Sequence, residues 1–414
     1  MTFKNTRIAC YTGYVTQAIV VNLAPLLFVI FQNRFDFSLS FIAAITLFTF
    51  LLQMGIDILA IYFVEKTSYR VLSVASQGTS VVGLILLSVL PYVMIPEIGV
   101  LLAVCVYSTG SGLCEVVLSP LIEAIPAEKD SKGSSMTLMH SFYAWGQAAV
   151  ILLTTVILHF IGDSFWWVVP LIWALIPLFN TIAFLKVPLS DMTVHAEGHG
   201  IGKMLMMREF AIIFILMICS GASEQAMAQW ASMFAEKGLG VTKVLGDILG
   251  PCTFAVMMGI GRTAHGLYGA KINMARLLLA LSSFTVLTFA ICVFSPVPFV
   301  SLVACGLSGL GVSVMWPGML AFCASEYPLA GASMFAILAL GGDIGCSLGP
   351  WVTGIISDTV LDIGASVEFI PLFAEKAGME IEQLALKCGF FGAMIFPLVM
   401  LAGIIILLKT DKKE

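Results

Sequence analysis

The stretch Gly110–Gly146, which decides the fold, reads GSGLCEVVLSPLIEAIPAEKDSKGSSMTLMHSFYAWG. It contains the end of one apolar segment, a short charged turn and the start of the next apolar segment. Small or polar residues recur in the first of these segments, 98–124, at spacings of three and four, which places them on one helical face. They are Ser108, Ser111, Gly112, Glu115, Ser119 and Glu123. The residues around this face are nearly all apolar, so the pattern predicts a membrane helix with one polar stripe.

Glu115 is the residue of that stripe whose insertion into a membrane costs the most free energy. A carboxylate at mid-depth in a membrane helix costs roughly 2.5–3.5 kcal/mol on insertion scales, so such residues usually face a cavity and serve a function. The central hypothesis from the sequence is therefore that Glu115 carries protons beside a small polar substrate.

The composition of the whole chain assigns it to the membrane. Its 414 residues are 59% hydrophobic and only 11% charged, with a mean hydropathy of +1.02. A soluble protein of this length carries far more charge on its surface. The ten cysteines stand singly without CxxC or other metal-ligand spacing, so they are interpreted as small buried hydrophobes. No metal and no cofactor is expected.

Twelve apolar segments follow one another along the chain, each close to the ~20 residues that cross a bilayer. They are 8–31, 39–64, 72–93, 98–124, 136–160, 165–185, 210–234, 245–267, 276–294, 298–325, 332–357 and 390–408. This pattern predicts an all-α membrane protein with 12 transmembrane helices.

The distribution of lysine and arginine determines the predicted orientation. With an even number of spans both termini share one side, and that side holds 15 basic residues against five on the other. Cytoplasmic loops are enriched in lysine and arginine, so both termini are predicted to be cytoplasmic. The expected location is a bacterial cytoplasmic (inner) membrane.

A polar tract after the sixth segment divides the chain into two halves. The predicted domains are an N-terminal six-helix bundle at 1–187, a cytoplasmic linker at 188–208 and a C-terminal six-helix bundle at 209–414. Two pseudo-symmetric six-helix bundles around such a linker are the layout of major facilitator transporters. His195 and His199 are interpreted as part of a solvated linker. A second polar stretch, 358–387, is predicted outside the membrane with a short surface helix.

Each half also carries a basic turn that follows or ends its second segment, VEKTSYR at 64–70 and GIGRTAHGLYGAK at 259–271. Their equivalent placement predicts that Arg70 and Arg262 belong to charged turns that latch neighbouring helices on the cytoplasmic face. The alternative is general positive charge on that side. Trp166 and Trp167 are predicted to lie in the aromatic belt at the outer edge of the membrane.

Polar residues on several predicted helices fall at similar depth. At 1.5 Å per residue, most lie about 14–21 Å from the cytoplasmic ends of their helices. Substrate sites of two-bundle transporters lie near the midplane between the halves. The predicted proton-coupling residues are Glu115, Asp343 and Asp57. The predicted substrate-binding residues are Asn22, Gln53, His140, Tyr143, Gln147, Glu224, Gln225, Gln229, Trp230 and Trp316.

Structural alternatives stay open for several of these residues. Gln53 and Asp57 are four residues apart on one helix and satisfy each other in one interpretation. In the other interpretation, Asp57 is a second titrating or cation site. Trp230 and Trp316 either pack between helices or place a ring face under the C–H face of a sugar.

The chain resembles the fucose–galactose–glucose:proton symporter family of the major facilitator superfamily, the L-fucose permease type. The similar segments are GLCEVVLSPLIEAIP at 112–126, LMHSFYAWG at 138–146, SEQAMAQW at 223–230, MWPGMLAF at 315–322 and GGDIGCSLGP at 341–350. In that family a helix-four Glu, a nearby Asn-Pro and a Phe-x-x-x-Gly in helix five recur. Glu115, Ser119-Pro120 and Phe142 to Gly146 match them, with Ser replacing Asn.

One departure separates the chain from the family pattern. The family type has an Asp in helix one a few residues before a proline, whereas here the region reads AIVVNLAP and Val21 stands near the acid's place. If that Asp binds substrate, the substrate or the binding mode of this protein differs. Glu224, Asp343 and Asp57 are the acids that would compensate.

The sequence therefore predicts a proton-coupled symporter that imports a sugar or sugar-like solute by alternating access. The alternatives are a proton-driven exporter of amphipathic compounds, a sodium-coupled sugar transporter and a membrane sensor. An enzyme is not expected, because the sequence has no nucleophile–base pair, zinc-helix motif or phosphate loop. The expected partners are a small polar solute and the lipid bilayer, without nucleic acid, and the chain is expected to be a monomer.

Overall fold

Apolar segments of this length fold as helices in a bilayer, because a helix satisfies every backbone N–H and C=O within the segment. A computed structural model of the chain describes residues 2–37, 39–125, 132–189, 207–239, 246, 248–269, 272–326, 331–366, 369–376 and 378–410. In the N-terminal part these residues form α1 (Phe3–Phe35), α2 (Leu39–Phe63), α3 (Tyr69–Val93), α4 (Pro96–Ala124), α5 (Lys132–Ile161) and α6 (Val168–Lys186). Further along they form α7 (Arg208–Leu239), α8 (Thr253–Tyr268), α9 (Met274–Phe294), α10 (Pro298–Val312), α11 (Met315–Glu326), α12 (Gly331–Ser366), α13 (Phe369–Lys376), α14 (Ile381–Ala393) and α15 (Ile395–Thr410).

These helices confirm the predicted fold class of an all-α membrane protein. Within the part of the chain that the structure describes, ten helical stretches are long and apolar enough to cross a membrane. The two predicted spans outside that set correspond to α2, which contributes the shorter apolar stretch Phe48–Leu59, and to α8 with its 16 residues. The predicted count of twelve therefore agrees approximately with the structure.

Two of the predicted spans are interrupted by a turn. The break between α10 and α11 lies at Ser313 and Val314, and the break between α14 and α15 lies at Met394. In both cases a proline follows in the first turn of the second helix, Pro317 in α11 and Pro397 in α15. Proline has no N–H to donate, and the first turn is where that donor has no helical partner in any case.

The chain divides into two compact units. The first comprises Met1–Met204 with Ala324–Leu340, and the second comprises Leu205–Cys323 with Gly341–Glu414. In the first unit α3 packs against α4 and α6, α1 packs against α4 and α5, and α2 packs against α4. In the second unit α8 and α9 pack against α10, and α7 packs against α10, α14 and α15. The domain boundaries drawn from the sequence stay a prediction.

Trp166 lies in the core of the first unit, so the prediction that it belongs to the interfacial belt is wrong. Its side chain is fully buried. Phe31 meets its ring edge-on with centroids 5.1 Å apart, and Tyr92 stacks on it at 6.0 Å. Trp167, the next residue, is 37% exposed. The two residues form the turn before α6 and point in different directions, and hydropathy alone does not indicate which of them faces inward.

Arg70 forms the latch that was predicted for the first half. Its guanidinium donates to the carbonyl oxygens of Phe184, Leu185 and Val187 at 2.8, 2.9 and 3.0 Å. The last four carbonyls of a helix have no intrahelical donor, so an arginine at this point satisfies them. The contact ties the start of α3 to the end of α6.

The two predicted polar tracts are described to different extents. Most of the linker 188–208, including His195 and His199, lies outside the described residues. In the stretch 358–387, α12 continues to Ser366 and α13 precedes α14. The eight-residue α13 is the short helix that was predicted there.

Candidate functional site

Glu115 lies two-thirds of the way along α4 and is buried, with 6% of its surface exposed. Gln17 of α1 donates from Nε2 to Glu115 Oε2 at 2.8 Å. Gln17 is itself only 5% exposed, and its Oε1 has no hydrogen-bond partner among the described residues. The carboxyl group of Glu115 therefore faces an amide group of a neighbouring helix and not lipid.

Tyr14 lies on α1 one helical turn before Gln17, and its hydroxyl contacts side chains of two other helices, α4 and α5. Its hydroxyl lies 2.9 Å from Ser119 Oγ on α4 and 3.2 Å from His140 Nε2 on α5. Tyr14 and Gln17 are three residues apart on α1, and Ser119 and Glu115 are four apart on α4, so the two contacts lie on successive turns of both helices. Sequence reasoning missed Tyr14 and Gln17 as site residues, although their spacing in an apolar helix was a usable signal.

Of the predicted residues of α5, His140 reaches this hydroxyl contact. Its ring centroid is 4.5 Å from that of Tyr14. On the same helix Gln147 is buried and Tyr143 is half-buried. Asn22 of α1 donates from Nδ2 to the carbonyl of a residue in its own helix at 2.9 Å, so its hydrogen bond is local.

Gln53 and Asp57 on α2 are both buried, at 2% and 1% exposure. Gln53 lies beside α4, because a Cβ added to Gly112 would come within 3.3 Å of Gln53 Cα. Gln53 Oε1 has no hydrogen-bond partner in the described part of the chain. Gln53 Oε1 is an acceptor, so its lack of a partner does not decide between the two interpretations of Gln53 and Asp57, and the roles of both residues stay a prediction.

A second buried polar cluster in the first unit was not predicted. Gln77 of α3 is fully buried, and its Oε1 accepts from Thr16 Oγ1 at 2.8 Å and from Asn180 Nδ2 at 3.1 Å. Asn180 also donates to the carbonyl of Ala9 at 3.1 Å. The cluster ties α1, α3 and α6 together. Its polar side chains come from three helices, so no spacing pattern within one helix predicts it.

In the second unit, Glu224 of α7 forms an ion pair with Arg262 of α8. Arg262 Nη2 lies 2.8 Å from Glu224 Oε2, and the two side chains are 3% and 9% exposed, respectively. Arg262 Nε also donates to the carbonyl of Ser313 at 2.8 Å. Glu224 lies about 24 Å from the start of α7 at 1.5 Å per residue. Charges at such depth are retained where they are paired, because the unpaired ions are costly in a medium of low dielectric constant.

This ion pair corrects the prediction for the second basic turn. The basic turn was predicted to follow or end this helix at the cytoplasmic face, but α8 continues to Tyr268 and Arg262 is buried, with 2% of its surface exposed. A single arginine near the end of an apolar run has the same sequence pattern in a loop and in a buried pair, which explains the error. The role of Glu224 in substrate binding stays a prediction.

Trp230 is held by contacts with α12. Its Nε1 donates to the carbonyl of Pro350 at 3.1 Å, and its ring lies against Gly354. These contacts favour the packing alternative over stacking on a sugar ring. The neighbouring amides differ in exposure, since Gln225 is half-buried and Gln229 is exposed.

Trp316, at the start of α11, also contacts α12. A Cβ added to Gly342 would come within 2.0 Å of Trp316 Cη2, so only glycine leaves room for this ring. Trp316 is 7% exposed, and its Nε1 has no hydrogen-bond partner among the described residues. Asp343 follows Gly342 in α12 and is 2% exposed.

The cysteines occupy the positions expected of small hydrophobes. All ten are free, and eight of them are buried. Within the described residues, no group of three or more His, Cys, Asp or Glu side chains could hold a metal ion. The absence of a metal or cofactor stays a prediction.

The sequence matches a family model over most of its length. Residues 9–350 match the model of the Major Facilitator Superfamily. The chain belongs to this superfamily. A major facilitator protein is a multi-pass membrane transporter, so the prediction that the chain is not an enzyme is confirmed. No curated protein matches the chain.

Solved structures of major facilitator transporters share the fold. FucP in its outward conformation is 15% identical, with a TM-score of 0.71 over 95% of this chain and 98% of that chain. A variant of the E.coli fucose:proton symporter FucP is 14% identical, with a TM-score of 0.69 over 97% and 99%. The proton:xylose symporter XylE is 12% identical, with a TM-score of 0.72 over 98% and 95%. The predicted membership of the major facilitator superfamily is confirmed by the family model, while identities this low to the solved structures establish the fold alone.

Proposed function

We propose that this major facilitator protein is a proton-coupled symporter that imports a sugar or sugar-like small polar solute. Alternating access between bundles 1–187 and 209–414 moves the solute, and Glu115 is the proton carrier. The observation that supports this role is the burial of Glu115 in α4 with Gln17 as its hydrogen-bond donor. A buried carboxyl group in a membrane span usually marks a proton or substrate pathway.

Gln17 suits a carboxyl group that gains and loses a proton. When Glu115 is charged, Gln17 Nε2 donates to its Oε2. When Glu115 is neutral, its O–H becomes a donor, and Gln17 Oε1 is an adjacent acceptor without a partner among the described residues. Rotation of one primary amide therefore accommodates both protonation states. A guanidinium group offers donors only and stabilises one of them.

The proposed cycle couples these two states to solute movement. Glu115 takes up a proton from the outward-facing cavity, and the neutral side chain permits the cavity to close around the solute. Loss of the proton to the cytoplasm resets the carrier. The termini are proposed to face the cytoplasm of a bacterial inner membrane, and the chain is proposed to act as a monomer.

The contact between Tyr14, Ser119 and His140 is the proposed start of the solute site. Hydroxyl and imidazole groups donate and accept hydrogen bonds, as sugar hydroxyls require. FucP and XylE are named as proton symporters of fucose and xylose, which supports a sugar as the solute class by analogy of fold. The other proposed solute contacts are Asn22, Gln53, Tyr143, Gln147, Gln225, Gln229 and Trp316, whereas Glu224 is paired with Arg262 and Trp230 packs against α12. Asp57 and Asp343 are proposed as additional coupling acids.

The proposal is tested in proteoliposomes with E115Q, after a thermal-shift screen of sugars, sugar acids and nucleosides has identified a solute. The variant is expected to exchange labelled solute across the membrane and to fail to accumulate it against a gradient. The expected reason is that glutamine keeps a polar group at this position but cannot release a proton. Counterflow and proton-driven accumulation are measured on the same preparations.

The matched control is E97Q, the same substitution in the first turn of the same helix. It is expected to retain both exchange and accumulation. Accumulation by E115Q at the wild-type level would remove Glu115 from the coupling role. Accumulation driven by a sodium gradient alone would favour the sodium-coupled alternative, and outward pumping of amphipathic compounds would favour the exporter.

A further inference from the structure

Arg262 connects three helices of the second unit at one point. Its Nη2 donates to Glu224 of α7, and its Nε donates to the carbonyl of Ser313, which follows α10. Both bonds measure 2.8 Å. The fork of a guanidinium allows two such bonds in fixed directions, which the single nitrogen of lysine does not reproduce.

The carbonyl that Arg262 contacts lies at the break between α10 and α11. Ser313 and Val314 form the turn between the two helices. The preceding residue of α8 is Gly261, where an added Cβ would come within 2.3 Å of Ser313 Oγ. Glycine thus brings the backbone of α8 against the turn, and the arginine beside it satisfies a carbonyl there.

Trp316 stands three residues beyond that carbonyl, in the first turn of α11. Its ring is confined on one side by Gly342. Its Nε1 is buried and has no hydrogen-bond partner in the described part of the chain. Buried indole N–H groups normally find an acceptor, so this donor is unusual and is suited to a ligand acceptor.

We propose that the Glu224–Arg262 pair is a positioning device that holds the α10–α11 turn and thereby sets the position in which Trp316 offers its indole N–H to a solute hydroxyl. In this proposal the pair positions Trp316 and is not the proton carrier of the transport cycle. The part of this inference that concerns the solute rests on the proposed function, whereas the mechanical part does not.

The mechanical part is tested by the fluorescence of Trp316 in the purified full-length protein without solute. The chain has seven tryptophans, so the Trp316 spectrum is the difference between each variant and the same variant carrying W316F. R262K keeps the positive charge but loses the forked donors. Its Trp316 emission maximum is expected to shift from that of the wild type. S313A is the control, because it keeps the carbonyl that Arg262 contacts, and its spectrum is expected to stay unchanged.

A second variant covers the case in which R262K does not fold. R262M/E224L removes both charges, and replacement of a whole buried pair by apolar residues is often tolerated. Its Trp316 emission is also expected to shift. Unchanged emission in the folded variants, or an equal shift in S313A, would overturn the role assigned to Arg262.

The solute part is tested by transport kinetics of R262K and of E224Q. Both are expected to raise KM by about tenfold with little change in kcat, and to retain proton-driven accumulation. Loss of accumulation with intact exchange in E224Q would identify Glu224 as a proton carrier and overturn the inference. Failure of the proposed function is distinguishable, because it is detected by accumulation in E115Q and leaves the fluorescence result unaffected.

Discussion

Two buried glutamates, one in each unit, accept hydrogen bonds from different kinds of side chain, one neutral and one charged. Glu115 accepts from the neutral amide of Gln17, and Glu224 accepts from the guanidinium of Arg262, with the same separation of 2.8 Å. The exposed fraction of the whole residue is also the same for both glutamates, at 6%. Distance and burial therefore do not distinguish the two sites, and the chemistry of the donor does.

The difference between the two donors indicates which glutamate suits proton transfer and which suits a positioning role. A guanidinium is charged at every physiological pH and offers donors only, so it is the partner of a carboxylate. An amide carries no charge and offers both a donor and an acceptor, so Gln17 can pair with either form of Glu115. We therefore propose the proton-carrying role for Glu115 and the positioning role for Glu224.

The largest effect is expected when the charge pair is broken on one side. R262M leaves Glu224 buried without its guanidinium, and loss of one partner of a buried pair destabilises a protein by about 3–5 kcal/mol. The measurement is thermal unfolding of the detergent-purified protein. The double variant R262M/E224L is the control and is expected to unfold close to the wild type. Equal unfolding temperatures for R262M and the wild type would contradict the importance of the pair.

The next effect concerns the donor of Glu115. Q17L removes the amide and leaves the carboxyl group with a lost hydrogen bond, which costs about 1–3 kcal/mol and corresponds to about tenfold or more in the rate of accumulation. Proton-driven uptake in proteoliposomes is the measurement. T12V, on the same helix, removes a hydroxyl that donates to the carbonyl of Ile8 within α1 and is expected to transport normally. Normal accumulation by Q17L would show that Glu115 functions without the amide.

A smaller effect is expected at the Tyr14 contact. Y14F keeps the ring but removes the hydroxyl near Ser119 and His140, and a net loss of about 1 kcal/mol would raise KM about fivefold. Transport kinetics provide the measurement. Y11F is the control, because Tyr11 stacks on Phe142 with centroids 4.6 Å apart and the ring is retained. A KM that is equal in Y14F and the wild type would place solute recognition elsewhere.

The smallest effect is expected at Trp230. W230F loses the hydrogen bond to Pro350 but keeps an aromatic ring, so stability should fall by about 0.5–1.5 kcal/mol with KM unchanged. Unfolding and transport are measured on the same preparation. W316F is the contrasting variant and is expected to raise KM. A raised KM in W230F would return Trp230 to the solute site.

Much of the fold was predictable because membrane insertion depends on local composition. The free energy of a segment in the bilayer is a sum over its own residues, so most spans could be located without knowledge of their neighbours. The interruptions at Ser313 and Met394 were harder to predict from the sequence, because proline in a first helical turn is compatible with both a continuous and a broken span. The latch by Arg70 was predicted from the equivalent placement of a basic turn in each half of the chain.

The candidate site was predictable in part. The i,i+4 stripe of α4 identified Glu115, and its burial agrees with that prediction. The partners were not predictable, because Gln17 is 98 residues away and Arg262 is 38 residues from Glu224. Which side chains meet across such separations depends on how each helix is rotated and packed against its neighbours.

The sequence by itself determined that this chain is an all-helical membrane protein with an acid deep in its fourth helix, because hydropathy and helical spacing are properties of contiguous residues. Only the tertiary structure decided that this acid meets an amide, that Arg262 lies inside the fold and that Trp166 belongs to the core. The physical reason is that these hydrogen bonds and ion pairs need specific atoms of different helices within about 3 Å of each other. The packing of the helices decides which atoms come that close.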